Sequence, residues 1–196
     1  MRKKLIVLFT VVIALFCMGS TECNYTPEKG ESLNGGLADQ TYKVEFFDNS
    51  GRPLMHTNGT NIEINPEWHE ELDYTEDGYT HRKALSSIIA IVVDGRDIRS
   101  CGSTVLFIQN DLNPVIDFTT QEVNEELNDC VSKIDGGVVV LIQSQEGDPI
   151  YAFAGSSVNY SVCRDLPKTT LIEVDGKVIY IHRANFQIIE KGLLSK

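Results

Sequence analysis

Residues 51–59 read GRPLMHTNG, and residues 147–155 read GDPIYAFAG. Each runs Gly, any residue, Pro, an aliphatic residue, four more positions and Gly. A proline at the start of a strand is tolerated because its missing N–H costs no ladder hydrogen bond there. The two stretches stand 96 positions apart, and that offset also sets Val44 on Val140, Phe46 on Ile142, Leu54 on Ile150 and Ile62 on Val158. A second offset, 81, lays IVVDGRDIRSCGSTVLFIQNDL (91–112) over IEVDGKVIYIHRANFQIIEKGL (172–193). Ile, Val, Asp and Gly coincide at its start, and Arg96 falls on Lys177. The offsets differ by 15, so a single insertion at 65–83 in the first half reconciles them. Any two β-meanders share turn glycines. Collinear order with one consistent gap asks for more than that. The expected fold class is mainly β (all-β to α+β), with two tandem related β-meander units joined by one amphipathic helix.

Outward from these stretches, the pattern is mostly alternating. TYKVEFFD (41–48), PLMHT (53–57) and NIEI (61–64) form a first meander, with turns at NSGR and NG. SSIIAIVVDGR leads a strongly apolar strand into Asp-Gly, the strongest short hairpin signal. DIRSC and STVLFIQ follow. Strands resume with VVVLIQS (138–144), PIYAFA (149–154), SVNYSV (157–162), TTLIEV (169–174), KVIYIH (177–182) and ANFQII (184–189). Residues 65–83, NPEWHEELDYTEDGYTHRK, break the alternation and read as a long acidic, aromatic loop. Over 119–137, Val123, Leu127, Cys130, Val131 and Ile134 make one helical stripe. Thr119 and Glu122 suit a capping box and Gly136 a C-terminal stop. The expected layout is a signal peptide or anchor (1–22), a flexible tether (23–40), a first β unit (41–113) with its 65–83 insertion, a helical connector (114–137) and a second β unit (138–196).

The start carries a targeting signal. Arg2, Lys3 and Lys4 precede the apolar run LIVLFTVVIALF, and small and polar residues follow. A run of twelve residues, eleven of them apolar, falls short of the roughly 20 that a membrane span needs. Cys17 and Cys23 stand where a lipid-modified cysteine would be, with Phe16 and Glu22 before them in place of the small residue such sites prefer. Cleavage after Gly19 would give a secreted protein instead. The expected location is extracytoplasmic, as a membrane-anchored lipoprotein or a secreted protein. The net charge is −11, and loss of residues 1–22 leaves −13. So acidic a surface repels phosphate backbones, and no nucleic-acid partner is expected. Cys101, Cys130 and Cys163 lack the spacing of a disulfide framework or a metal site.

The stretch LNGGLADQTYKVEFFDNSGRPLMHTNGTNIEI resembles the opening of a family of bacterial lipoproteins of unknown function. Gly35, Gly36 and Leu37, then Gly51 and Gly59, match the family's order: a Gly-Gly-Leu tether, a strand, an N-G turn and an alternating strand. VDGKVIYIHRANFQII resembles its later hairpin. The resemblance implies a signal peptide, a tether and a small β-meander domain, and brings no catalytic residue with it.

Chemistry is sparse. GxSxG, P-loop, GxGxxG and HExxH motifs are absent from the sequence. WHEEL (68–72), with Asp73 and His81, is the nearest thing to a cation motif and reads as a solvated acidic stretch. Cys163, His182 and Asp165 suggest a thiolate arrangement that no spacing fixes, and Cys163 reads as a small core or edge residue. The aromatics expected at the surface are Trp68, Tyr74, Tyr79, Tyr151 and Tyr160, because Trp and Tyr give large, rigid contacts at low entropic cost. Trp68, Tyr74 and Tyr79 are the expected partner-binding residues; no catalytic residue, metal or cofactor is expected. The leading expectation is a non-catalytic cell-envelope binding or interaction protein for a protein or envelope ligand. The alternatives are an extracytoplasmic hydrolase or envelope-modifying enzyme using the 65–83 stretch, and a phage-encoded exclusion lipoprotein.

Overall fold

The computed structural model describes residues 31–32, 40–76, 78–120, 127–135, 137–163, 166 and 168–193. The leader, Cys17, Cys23 and the Gly-Gly-Leu element lie outside the described residues. The fold is mainly β. Its strands are β1 (Glu31–Ser32), β2 (Tyr42–Phe47), β3 (Pro53–Gly59), β4 (Ile62–Thr75), β5 (Gly78–Val93), β6 (Arg96–Cys101), β7 (Thr104–Gln109), β8 (Ile116–Asp117), β9 (Val138–Gln143), β10 (Pro149–Gly155), β11 (Val158–Val162), β12 (Thr169–Val174), β13 (Lys177–His182) and β14 (Asn185–Glu190). A short helix, α1 (Leu127–Ser132), lies between β8 and β9, and a 3₁₀ turn, Lys191–Leu193, follows β14.

Three antiparallel sheets form among the described residues. The largest has the order β11-β12-β13-β7-β2-β3, and the others are β1-β4-β5-β6 and β14-β9-β10-β8. In the six-stranded sheet β7 pairs with β2 on one side and β13 on the other, so strands from both halves of the chain share one ladder. Alternation then decides the layers, because neighbouring side chains on a strand face opposite ways. Tyr42, Val44 and Phe46 of β2 join Val105 and Phe107 of β7 against Ile62, Ile64, Ile89, Ile91 and Val93. The intervening Leu106 and Ile108, with Ile179 and Ile181, face the other way and pack with Val140, Ile142, Ile150 and Phe153. Every residue of β7 is therefore buried, as a strand covered on both faces must be. The far side of the β9–β10 sheet is closed by Phe118, Val131 and Ile134 against Val139, Leu141 and Ala152. The layers run β4-β5-β6, the six-stranded sheet, β14-β9-β10-β8, then α1.

Tight turns set the registers. Asp94-Gly95 and Asp175-Gly176 both have positive φ, at 48° and 78° and at 49° and 80°. That is the turn whose twist matches a hairpin, and it pairs Val93 with Arg96 and Val174 with Lys177.

One expectation is corrected, and another is described only in part. Residues 65–83 are not a loop: β4 and β5 run through them as a paired hairpin from Ile62 to Val93. The acidic composition masked an alternation that cross-strand pairs support. The helix expected over 119–137 is described only as Leu127–Ser132, residues 121–126 lying outside the described set. The N–H and hydroxyl of Thr119 both donate to Asp117 Oδ1, at 2.9 and 2.6 Å, and its expected capping partner Glu122 and the stop Gly136 lie outside the described residues. The start of the expected connector is a strand, β8, on the edge of β10.

Candidate functional site

The β4–β5 hairpin outruns its sheet. β1 pairs with it at Glu63 and Ile64, and β6 reaches it as far as Ile88. Past these points, residues 67–85 stand as a two-stranded ribbon, with no third strand among the described residues. The register shifts at its base, from Pro66 opposite Ile89 to Trp68 opposite Leu85. Such an irregularity strengthens the local twist. Arg99 Nε donates to Glu67 Oε1 at 2.7 Å and ties the base to β6.

The pairing sorts the ribbon into two faces. Trp68 opposes Leu85, Glu70 opposes Lys83, Leu72 opposes His81 and Tyr74 opposes Tyr79. These positions share one face, and they continue the alternation that buries Ile62, Ile64, Ile89, Ile91 and Val93. On the ribbon that face is open: Trp68 is 43 % exposed, Leu72 56 %, Tyr74 76 %, Tyr79 68 % and Leu85 37 %. The tyrosine rings meet edge-on, with centroids 4.8 Å apart, an arrangement that aromatic quadrupoles favour. His69, Glu71, Asp73, Arg82 and Thr80 take the other face. Glu71 Oε2 accepts from Arg82 Nη2 at 3.2 Å, and Glu71 Oε1 lies 3.0 Å from His69 Nε2. The bonds from Arg82 and then His69 hold the Glu71 carboxyl below the usual range.

Of the expected partner-binding residues, Tyr74 and Tyr79 are brought into contact. Trp68 shares their face about 20 Å away, given ~3.3 Å per strand residue. Leu72 and Leu85, which composition alone did not single out, complete the stripe; the signal was the strict spacing Trp68, Leu72, Tyr74 at even positions. The WHEEL residues do not converge. Glu70 lies on the face opposite His69, Glu71 and Asp73, and no cluster of three or more potential metal ligands forms among the described residues.

Other expected positions moved inward. Tyr151 is not a surface aromatic: it is 4 % exposed, and its hydroxyl donates to Glu45 Oε2 at 2.9 Å. Burial first, then the Glu45 charge, pushes its phenol well up. Lys43 Nζ sits 2.7 Å from the other Glu45 oxygen. His182 is buried, with Nδ1 2.9 Å from Thr169 Oγ1. Cys163 is half-buried against the first core, and Asp165 lies outside the described residues.

A family profile described as a domain of unknown function (DUF5052) matches residues 3–194. No match was found among curated proteins or among solved structures.

Proposed function

We propose that this chain, which belongs to the DUF5052 family of domains of unknown function, is an exported, non-catalytic binding protein of the cell envelope, and that the 67–85 ribbon is its contact element. The carrying observation is the exposed stripe of Trp68, Leu72, Tyr74, Tyr79 and Leu85 on a hairpin with no third strand along it among the described residues. A lone two-stranded ribbon is marginal in water, and exposed apolar area marks interaction surfaces; here it gathers at Leu72, Tyr74 and Tyr79, with the Glu70–Lys83 pair between them and Trp68 and Leu85. The stripe supplies aromatic anchors, and the ribbon surrounds them with six acidic residues against Arg82 and Lys83. Electrostatic complementarity then favours a protein partner with an apolar groove and a basic rim. The basic n-region and apolar run of the leader support export, either lipid-anchored through Cys17 or Cys23 or secreted.

A photo-crosslinking residue at Tyr79 in the native host tests this reading. The expected result is one discrete adduct with an envelope protein, abolished by Leu72→Ser or Tyr74→Ser. Exposed substitutions cost within about 0.5 kcal/mol, so both variants should melt within about 2 °C of the parent. Melting far below that, or adducts indifferent to both variants, would refute it. Mass spectrometry of the mature N-terminus tests export: an unprocessed Met1 terminus contradicts it.

The proposal extends to architecture: the two halves are copies of one plan, and the ribbon is an elaboration of the first. Adding 96 to the limits of β2 and β3 gives those of β9 and β10, and adding 81 to those of β6 and β7 gives those of β13 and β14. The pairs β2·β3, β2·β7, β4·β5 and β5·β6 recur as β9·β10, β9·β14, β11·β12 and β12·β13. The registers recur too: Tyr42 opposes Gly59 and Gln109, and Val138 opposes Gly155 and Glu190. The hairpin that is short in the second half, at β11–β12, is the one drawn out into the ribbon in the first.

A further inference from the structure

An open cleft of about 400 Å³ lies away from the ribbon, beside the turn between β13 and β14. Lys168, Arg183, Thr170, Asn185 and Gln145 are among its walls. Two permanent cations line it, and no carboxylate does so among the described residues. That is a local inversion in a chain with 28 acids and 17 bases. No ion pair is formed by either cation among the described residues.

The backbone sharpens the point. Lys168 and Arg183 both take left-handed conformations, with φ of 55° and 53°, and the Arg183 N–H donates to the Lys168 carbonyl at 3.0 Å. Such conformations strain any side chain and leave glycine unstrained. The comparable turn between β6 and β7 has Gly102, with φ of 90° and open space where a Cβ would stand. At position 183 the chain thus carries a long cation where glycine would sit without strain. Arg183 Nη2 donates to the Ser87 carbonyl at 3.2 Å in an exposed bond, and its Nε is buried with no acceptor among the described residues. A buried donor without an acceptor is costly, so turning the guanidinium into the cleft would exchange the Ser87 bond for one to an acceptor there and relieve the unpaired Nε.

We infer that this cleft binds a small oxyanion, the phosphate or carboxylate group of a small molecule. Arg183 supplies the planar fork and Lys168 a point charge, while Thr170 adds a hydroxyl to the wall; the amide N–H groups of Asn185 and Gln145 are already given to Ser144, Gln145, Gly102 and Asn49 oxygens and shape the cleft. The site is independent of the ribbon; only the comparison with Gly102 leans on the two-copy plan.

Titration calorimetry of the exported chain with inorganic phosphate and with succinate, at constant ionic strength against a chloride control, tests it. Saturable one-to-one binding of at least one probe is expected, and the one that binds identifies the source of the oxyanion. Arg183→Gly should weaken it about tenfold or more, the scale of one charge-assisted bond. Its melting midpoint without ligand should equal or exceed the parent's, because the strain is relieved. Lys168→Asn, with a residue that tolerates the left-handed region, should weaken binding as well and decides the matter if Arg183→Gly does not fold. Tyr74→Ser should bind the probe unchanged, which separates this site from the ribbon. No binding beyond the chloride control, or full binding by both cation variants, overturns the inference.

Discussion

Asp94 and Asp175 each hold two chain segments at one carboxylate. Asp94 Oδ1 accepts from the N–H groups of Thr60 and Asn61, at 3.2 and 2.9 Å. Asp175 Oδ1 does the same for Ser156 and Ser157, at 2.9 and 2.8 Å. Gly59 and Gly155 lie against these aspartates because nothing larger fits. A Cβ on Gly155 would stand 2.7 Å from Val174 Cγ1 and 2.9 Å from Asp175 Oδ2. Gly155→Ala should therefore cost about 1–3 kcal/mol, read as a lower urea midpoint at unchanged slope. Tyr151 makes a different kind of prediction. Its phenol is raised by burial and by Glu45, so below about pH 10, the ordinary tyrosine value, folded and unfolded chains both keep the proton. Above that, the unfolded chain ionises while the folded one holds its proton, and stability falls as pH rises. Tyr42 is shifted the same way by burial. Tyr151→Phe should cost about 1.5–3 kcal/mol at pH 7, for a bond to a charged acceptor, and should flatten the loss above pH 10. An equally steep alkaline loss in the variant would rule out Tyr151 as its source.

The β4–β5 hairpin belongs to two environments. From Ile62 to Pro66 and from Ile89 to Val93 it is part of a sheet whose inner face lies in the first core. Beyond, the same alternation continues in solvent. Removing residues 68–85 should thus leave the body intact, with a melting midpoint within a few degrees of the parent and undiminished strand content by circular dichroism. Hydrogen exchange should divide the hairpin at the register shift, fast for the amides of 68–85 and slow for Ile89 to Val93, since protection follows burial and local cooperativity. Uniform slow exchange along the whole hairpin would mean that the ribbon is covered. At this scale the alternating apolar strands and the two Asp-Gly turns were legible before any coordinates, because period-two burial and left-handed turn residues are local demands. The ribbon was not. Glu, Asp and Asn-Pro speak against a strand locally, and what overrides them is pairing with residues up to 25 positions away, as between Asn65 and Ala90.

The six-stranded sheet makes the halves interdependent. β7 is buried by the first half on one face and by the second half on the other, and it pairs directly with β13. Tyr151 of β10 reaches Glu45 of β2 across that same boundary. Unfolding should consequently be one cooperative event: calorimetric and van't Hoff enthalpies should agree, and two resolved transitions would show that each half holds its own structure. Trp68 is the only tryptophan and stands on the ribbon, so its fluorescence is a poor reporter of that event, and far-ultraviolet dichroism is the better one. By itself the sequence determined a mainly β chain, the places of most strands and the Asp-Gly turns, all of which follow from alternation and backbone conformation within a few residues; the exposure of Trp68, Tyr74 and Tyr79 was expected from their place in an acidic, polar stretch. Only the tertiary structure decided that the two halves share a central sheet, that Tyr151 and His182 go inside, that the 65–83 stretch is a paired ribbon with Trp68, Leu72, Tyr74 and Tyr79 on one face, and that Lys168 and Arg183 line one cleft. Those outcomes depend on which strand edges meet and which faces are covered, and edges and faces are chosen by contacts between residues far apart in the chain.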